Sequence, residues 1–91
     1  MTIFTLWYGT KNSVGGGEYE TVEVEGEEIC AVKFADEDAI IEYRVFETAD
    51  GSIFVHNVVR GREVNADIDV YDSIEAAAKD YAFILRKAGV I

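Results

Sequence analysis

Carboxylates are the residues of this chain with the number and spacing to do chemistry. Glu23 and Glu25 stand at i and i+2, as do Asp67 and Asp69. In an extended strand that spacing puts two side chains on one face, roughly 6.6 Å apart, from a rise near 3.3 Å per residue. Such rows present fixed negative charge to a cationic surface. Asp36-Glu37-Asp38, with Glu27 and Glu28, offers the hard oxygens that divalent cations prefer. An EF-hand loop needs acids at alternate positions, a central glycine and a terminal glutamate. Neither Asp36-Glu37-Asp38 nor Asp50-Gly51-Ser52 has that pattern, and both read as ordinary hairpin turns.

Other constellations are weaker. His56 and Cys30 are the one histidine and the one cysteine. Joined with an acid they would form a nucleophile–base pair. Both fall mid-strand in alternating patterns without an elbow, so a half-exposed sheet histidine and a core cysteine are expected. Lys11 and the run Gly15-Gly16-Gly17 suggest a phosphate loop. There the lysine must follow the last glycine and open a helix, whereas here it precedes the run. The stretch 9–17 reads as a flexible hairpin loop. No catalytic, metal or cofactor motif is present, and the chain is expected to be non-enzymatic.

The elements that must carry these residues are short strands and one helix. Thr2–Tyr8 is β-branched and aromatic and predicts a strand. Strand two, about 18–25, alternates Val22 and Val24 against Thr21, Glu23 and Glu25. Gly26-Glu27 reads as a tight reversal into strand three, 28–34, with Cys30, Val32 and Phe34 on one side. Ala35 to Asp38 turns the chain into strand four, 39–47. Asp50-Gly51 is the strongest hairpin signal and leads to strand five, 53–59. Arg60-Gly61-Arg62 turns into strand six, about 63–71. Asp72 or Ser73 caps a helix that ends before Gly89, with Arg86 and Lys87 in its last turn. At about 100° per residue, Ile74, Ala77, Ala78, Tyr81, Ile84, Leu85 and Ala88 share its apolar face. Phe83 falls about 180° from Ile74, amid the polar side chains, and is a candidate partner contact.

The fold expected is α+β: an antiparallel meander of five to six strands with one C-terminal helix packed on one face, as a single domain over 1–91. One helix covers only one face, yet Ile29, Ala31, Ile40, Phe46, Phe54 and Val58 make the other face apolar. Either the sheet curls into a barrel-like shape, or that face is an interface such as a symmetric homodimer.

Charge is the strongest global feature. The 91 residues carry a net −10, and residues 18–50 hold twelve acids against Lys33 and Arg44. The remainder sums to zero. Such a field repels nucleic acid and anionic membrane and attracts a basic protein. There is no apolar run of the roughly 18 residues a membrane helix needs, nor a basic signal-peptide region. One cysteine excludes an internal disulfide, so the cytoplasm is the expected compartment.

Glu23, Glu25, Glu27, Glu28, Asp36, Glu37, Asp38 and Phe83 are therefore the expected partner-binding residues. Rows of carboxylates can stand in for phosphates on a protein that grips nucleic acid. In size and charge, though in no motif, the chain resembles phage-encoded anti-restriction and anti-CRISPR inhibitors. That resemblance implies a DNA mimic occupying a basic surface. The alternative is a small structural or adaptor subunit that dimerises or binds through its apolar sheet face, with Phe46, Phe54, Val58 and Phe83 as contacts.

Overall fold

In the computed structural model, residues 2–12 and 16–91 are described. Of the stretch 9–17 expected to be a flexible loop, 13–15 lie outside the described residues, while Gly9, Thr10 and Lys11 continue the first strand and pair with Tyr19, Glu18 and Gly17. The order is β1 (Thr2–Lys11), β2 (Gly17–Ala35), β3 (Ile40–Thr48), β4 (Ile53–Arg60), β5 (Val64–Tyr71) and α1 (Ile74–Lys87). Each strand pairs antiparallel with the next, and β1 returns to β5 to close a barrel. The chain is thus α+β, an antiparallel meander with one C-terminal helix. Among the described residues no helix is long and apolar enough to cross a membrane.

The expected reversal at Gly26-Glu27 does not occur. Strands two and three are one 19-residue strand, β2, which pairs with β1 over its first half and β3 over its second. Gly26 sits where the two ladders meet, opposite both Thr2 and Thr48. A Cβ there would lie 2.2 Å from the Glu47 carbonyl oxygen. The glycine serves close approach between strands rather than a turn.

A bulge then re-aims the strand. Glu28 opposes Phe46, but Cys30 opposes Val45, leaving Ile29 as the extra residue. Before it, Val22 and Val24 pack inside the barrel with Leu6, Phe46, Phe4, Phe54 and Ile68. After it, Cys30, Val32 and Phe34 face the helix, with Val45, Ile53, Val55, Ala77, Ile84 and Leu85. Both faces of β3 and β4 are therefore buried. Curling of the sheet encloses Phe46 and Val58 of the second apolar face, while Ala31 stays exposed.

The closing seam is short. Among the described residues β1 and β5 share three residue pairs, Gly9–Ala66, Thr10–Asn65 and Lys11–Val64. The Thr10 hydroxyl adds a 2.8 Å bond to Asn65 Oδ1. Beyond the ladder, the His56 imidazole donates from Nε2 to the Trp7 carbonyl at 2.7 Å. A carbonyl only accepts, which fixes the proton on Nε2. His56 is buried rather than half-exposed as expected, because curling encloses its face.

The helix starts and stops where expected. Ser73 Oγ accepts from the Ala76 amide, and the Gly89 and Val90 amides bond back to Arg86 and Leu85. Tyr81 breaks it locally, with φ −122° and ψ 26°. Ile84 and Leu85 beyond it remain on the buried face, as expected. Phe83 is half-exposed, as its place on the wheel implies, and its ring also contacts Phe34, Tyr43 and Tyr81 with centroids 5.6–6.3 Å apart.

Candidate functional site

The first half of β2 sets one charged surface. Alternation places Tyr19, Thr21, Glu23, Glu25 and Glu27 on the outer face, away from Val22 and Val24. Thr5 and Ile3 of β1 lie opposite Glu23 and Glu25. Glu27 lies opposite Glu47 of β3. All four glutamates are exposed. The two ion pairs among the described residues, Arg44–Glu28 and Arg60–Glu42, involve none of them. Glu27 and Glu47 are like charges directly opposed, with Cβ atoms expected about 5 Å apart, an arrangement that destabilises a sheet. A cation seated between them would relieve that repulsion.

Other expected residues fall elsewhere. Glu28 lies on the opposite face, bound to Arg44 at 2.6 Å. Asp36, Glu37 and Asp38 occupy the β2–β3 turn, up to about 30 Å of strand rise beyond Glu27. Asp36 Oδ1 accepts the Asp38 and Ala39 amides, both at 2.9 Å, and closes that turn. Those two donors hold its carboxyl below the usual range. Phe83 belongs to the helix-side ring cluster. Of the second carboxylate pair, Asp69 accepts the Tyr81 hydroxyl. Tyr71 donates to Asp80 at 2.8 Å, and desolvation with that carboxylate pushes its phenol up to about 12. The structure thus unites Glu23, Glu25 and Glu27, adds Glu47, and separates the remainder.

At one end of the row sits a cation clamp. The Lys11 ammonium lies 4.3 Å from the Trp7 ring centroid and 4.4 Å from that of Tyr19. The two rings meet nearly edge-on, 6.0 Å apart.

A second charged region lines the barrel mouth. Residues Thr5, Leu6 and Trp7 of β1 face Glu42, Arg44, His56, Val58 and Arg60 across a cavity of about 130 Å³. A shallower hollow beside it adds Lys33 and Ala31. Here charges meet partners: Arg44 with Glu28, and Arg60 with Glu42 at 3.4 Å. The surroundings of His56 favour its neutral form. Burial lowers its pKa, the Trp7 carbonyl partly opposes this, and the Arg44 and Arg60 charges add to the lowering. Its Nδ1 is buried without a partner.

This placement separates the residues of a nucleophilic pair. By register Cys30 shares the helix-side face of Val45 and Val55, while His56 projects from the other face. Burial and Glu28 raise the Cys30 thiol, which disfavours the reactive thiolate. Among the described residues, no three His, Cys, Asp or Glu side chains converge as metal ligands.

The mouth and the Glu47 contribution were not anticipated. Both depend on register across β2, β3 and β4, which no local pattern encodes. Searches of protein-family models, curated proteins and solved structures find no match to this chain.

Proposed function

We propose that this chain is a small acidic, non-catalytic protein-binding module. Its outer β2 face, Glu23, Glu25 and Glu27 with Glu47, engages a basic surface on a partner protein. The observation that carries this reading is the unneutralised row itself. Four exposed carboxylates are fixed on a paired sheet, two of them directly opposed, and none joins an ion pair among the described residues. A rigid row binds without the ordering cost of a floppy acidic arm. Its regular spacing suits a surface built to grip the phosphates of nucleic acid, so a nucleic-acid-binding protein is the partner class proposed. The apolar-face alternative has less to present, because Phe46 and Val58 are enclosed.

Affinity capture from the host at low and high salt, with wild type and a Glu23→Lys/Glu25→Lys variant, tests this. The expected result is a basic protein held at low salt, released at high salt and lost with the variant. Retention indifferent to both salt and charge reversal overturns the reading.

A further inference from the structure

Lys11 is the only basic side chain among the first 32 residues, a stretch that holds six glutamates. It joins none of them in an ion pair among the described residues. Its ammonium instead rests over two rings, 4.3 Å from Trp7 and 4.4 Å from Tyr19. Both distances fall inside the roughly 6 Å range of a cation–π contact. Tyr19 is 50% exposed, so the clamp opens to solvent. Gly9 lies opposite Tyr19 and brings no side chain between the rings.

Position gives this clamp its meaning. Tyr19 shares its face of β2 with Thr21, Glu23, Glu25 and Glu27, at successive i+2 positions. The rings therefore stand at one end of the glutamate row, about 13 Å of strand rise from Glu23. We infer that the Trp7–Tyr19 clamp is an ammonium subsite for a lysine of the basic partner, and that Lys11 occupies it as an intramolecular stand-in until displaced. The inference rests on the proposed acidic binding face and extends it by one subsite. The occupant is a cationic side chain rather than a second copy, since two chains of net −10 repel.

The subsite reports on itself, because Trp7 is the only tryptophan. Tetralysine is titrated into the full chain, following Trp7 emission and, in parallel, heat of binding. Removing the competitor with Lys11→Ala, or with Lys11→Met to keep the apolar stem, is expected to tighten the emission-monitored affinity about threefold, the size of one exposed cation–π contact. Adding Tyr19→Ala to either variant abolishes the emission change while heat of binding persists through the glutamates. Emission that stays silent in both Lys11 variants while heat is released overturns the clamp and leaves the acidic face standing. No heat with any variant, wild type included, overturns both.

Discussion

The outer face of β2 and the mouth of the barrel are both rich in charge, and they treat it in opposite ways. At the mouth, Arg44 meets Glu28, Arg60 meets Glu42, and burial disfavours charge on His56. On the outer face Glu23, Glu25, Glu27 and Glu47 join no ion pair among the described residues, and two of them oppose one another. The bulge at Ile29 and the register around it create the difference, because they put Glu28 on the Arg44 side and Glu27 beside Glu47. Charge that the fold requires is neutralised within the fold. Charge left bare on rigid backbone is available to a partner.

The largest effect should come from breaking the strand that both regions share. Gly26→Ala forces a Cβ to within 2.2 Å of a backbone oxygen that cannot withdraw. It should cost at least about 3 kcal/mol in denaturant unfolding. A turn glycine at this position would tolerate alanine far better, so near-wild-type stability would contradict the continuous β2.

Charge reversal comes next. Glu23→Lys/Glu25→Lys should weaken binding of a basic partner about a hundredfold at low salt, or roughly 2.7 kcal/mol. The reversal should leave the thermal midpoint nearly unchanged, as both residues are exposed. Equal losses from reversal at Glu37 and Asp38 would spread the site beyond the outer row.

The mouth makes a pH prediction. The folded pKa of His56 lies below its ordinary 6.5. Between those values the unfolded chain binds the proton and the folded chain does not. Stability from the neutral imidazole is therefore fully present above about pH 6.5 and is lost as pH falls through that window. His56→Gln should flatten the dependence over the window, as read from urea midpoints across pH. A slope unchanged in the variant would assign it to other groups.

The smallest effects should have opposite signs. Glu47→Gln removes a like-charge opposition and should stabilise by about 0.2–1 kcal/mol. Glu28→Gln removes a partly exposed ion pair and should destabilise by at most about 1 kcal/mol. Thermal melts at low salt would show both, and both should shrink at high salt. Matching signs would erase the distinction between the two regions.

Much of the fold was legible because local chemistry dictates it. Ser73 and Gly89 bracket the helix, and Asp50-Gly51 sets the β3–β4 turn, where Gly51 has φ +89°. Gly26 misled because glycine marks turns and close approaches alike, and only the neighbouring strand distinguishes them. The bulge at Ile29 has no sequence signature, and it decides which acids share a face. Glu23, Glu25 and Glu27 were readable from alternation alone. Glu47, and the pairing of Glu28 with Arg44, required cross-strand register. The helical wheel left Phe83 off the apolar face, and it is half-exposed; its contacts with Phe34 and Tyr43 depend on how the helix docks across β2 and β3, which no local pattern encodes.

The central claim is that bare charge on outer β2 is the binding surface. Amide chemical-shift mapping with tetralysine tests it most directly. The account predicts saturable shifts at Trp7, Tyr19–Glu27 and Glu47 that vanish at high salt, with the β2–β3 turn and the Glu42, Arg44 and Arg60 side of the barrel mouth unmoved. Shifts centred on Asp36–Asp38 or on Glu42, Arg44 and Arg60 would contradict it.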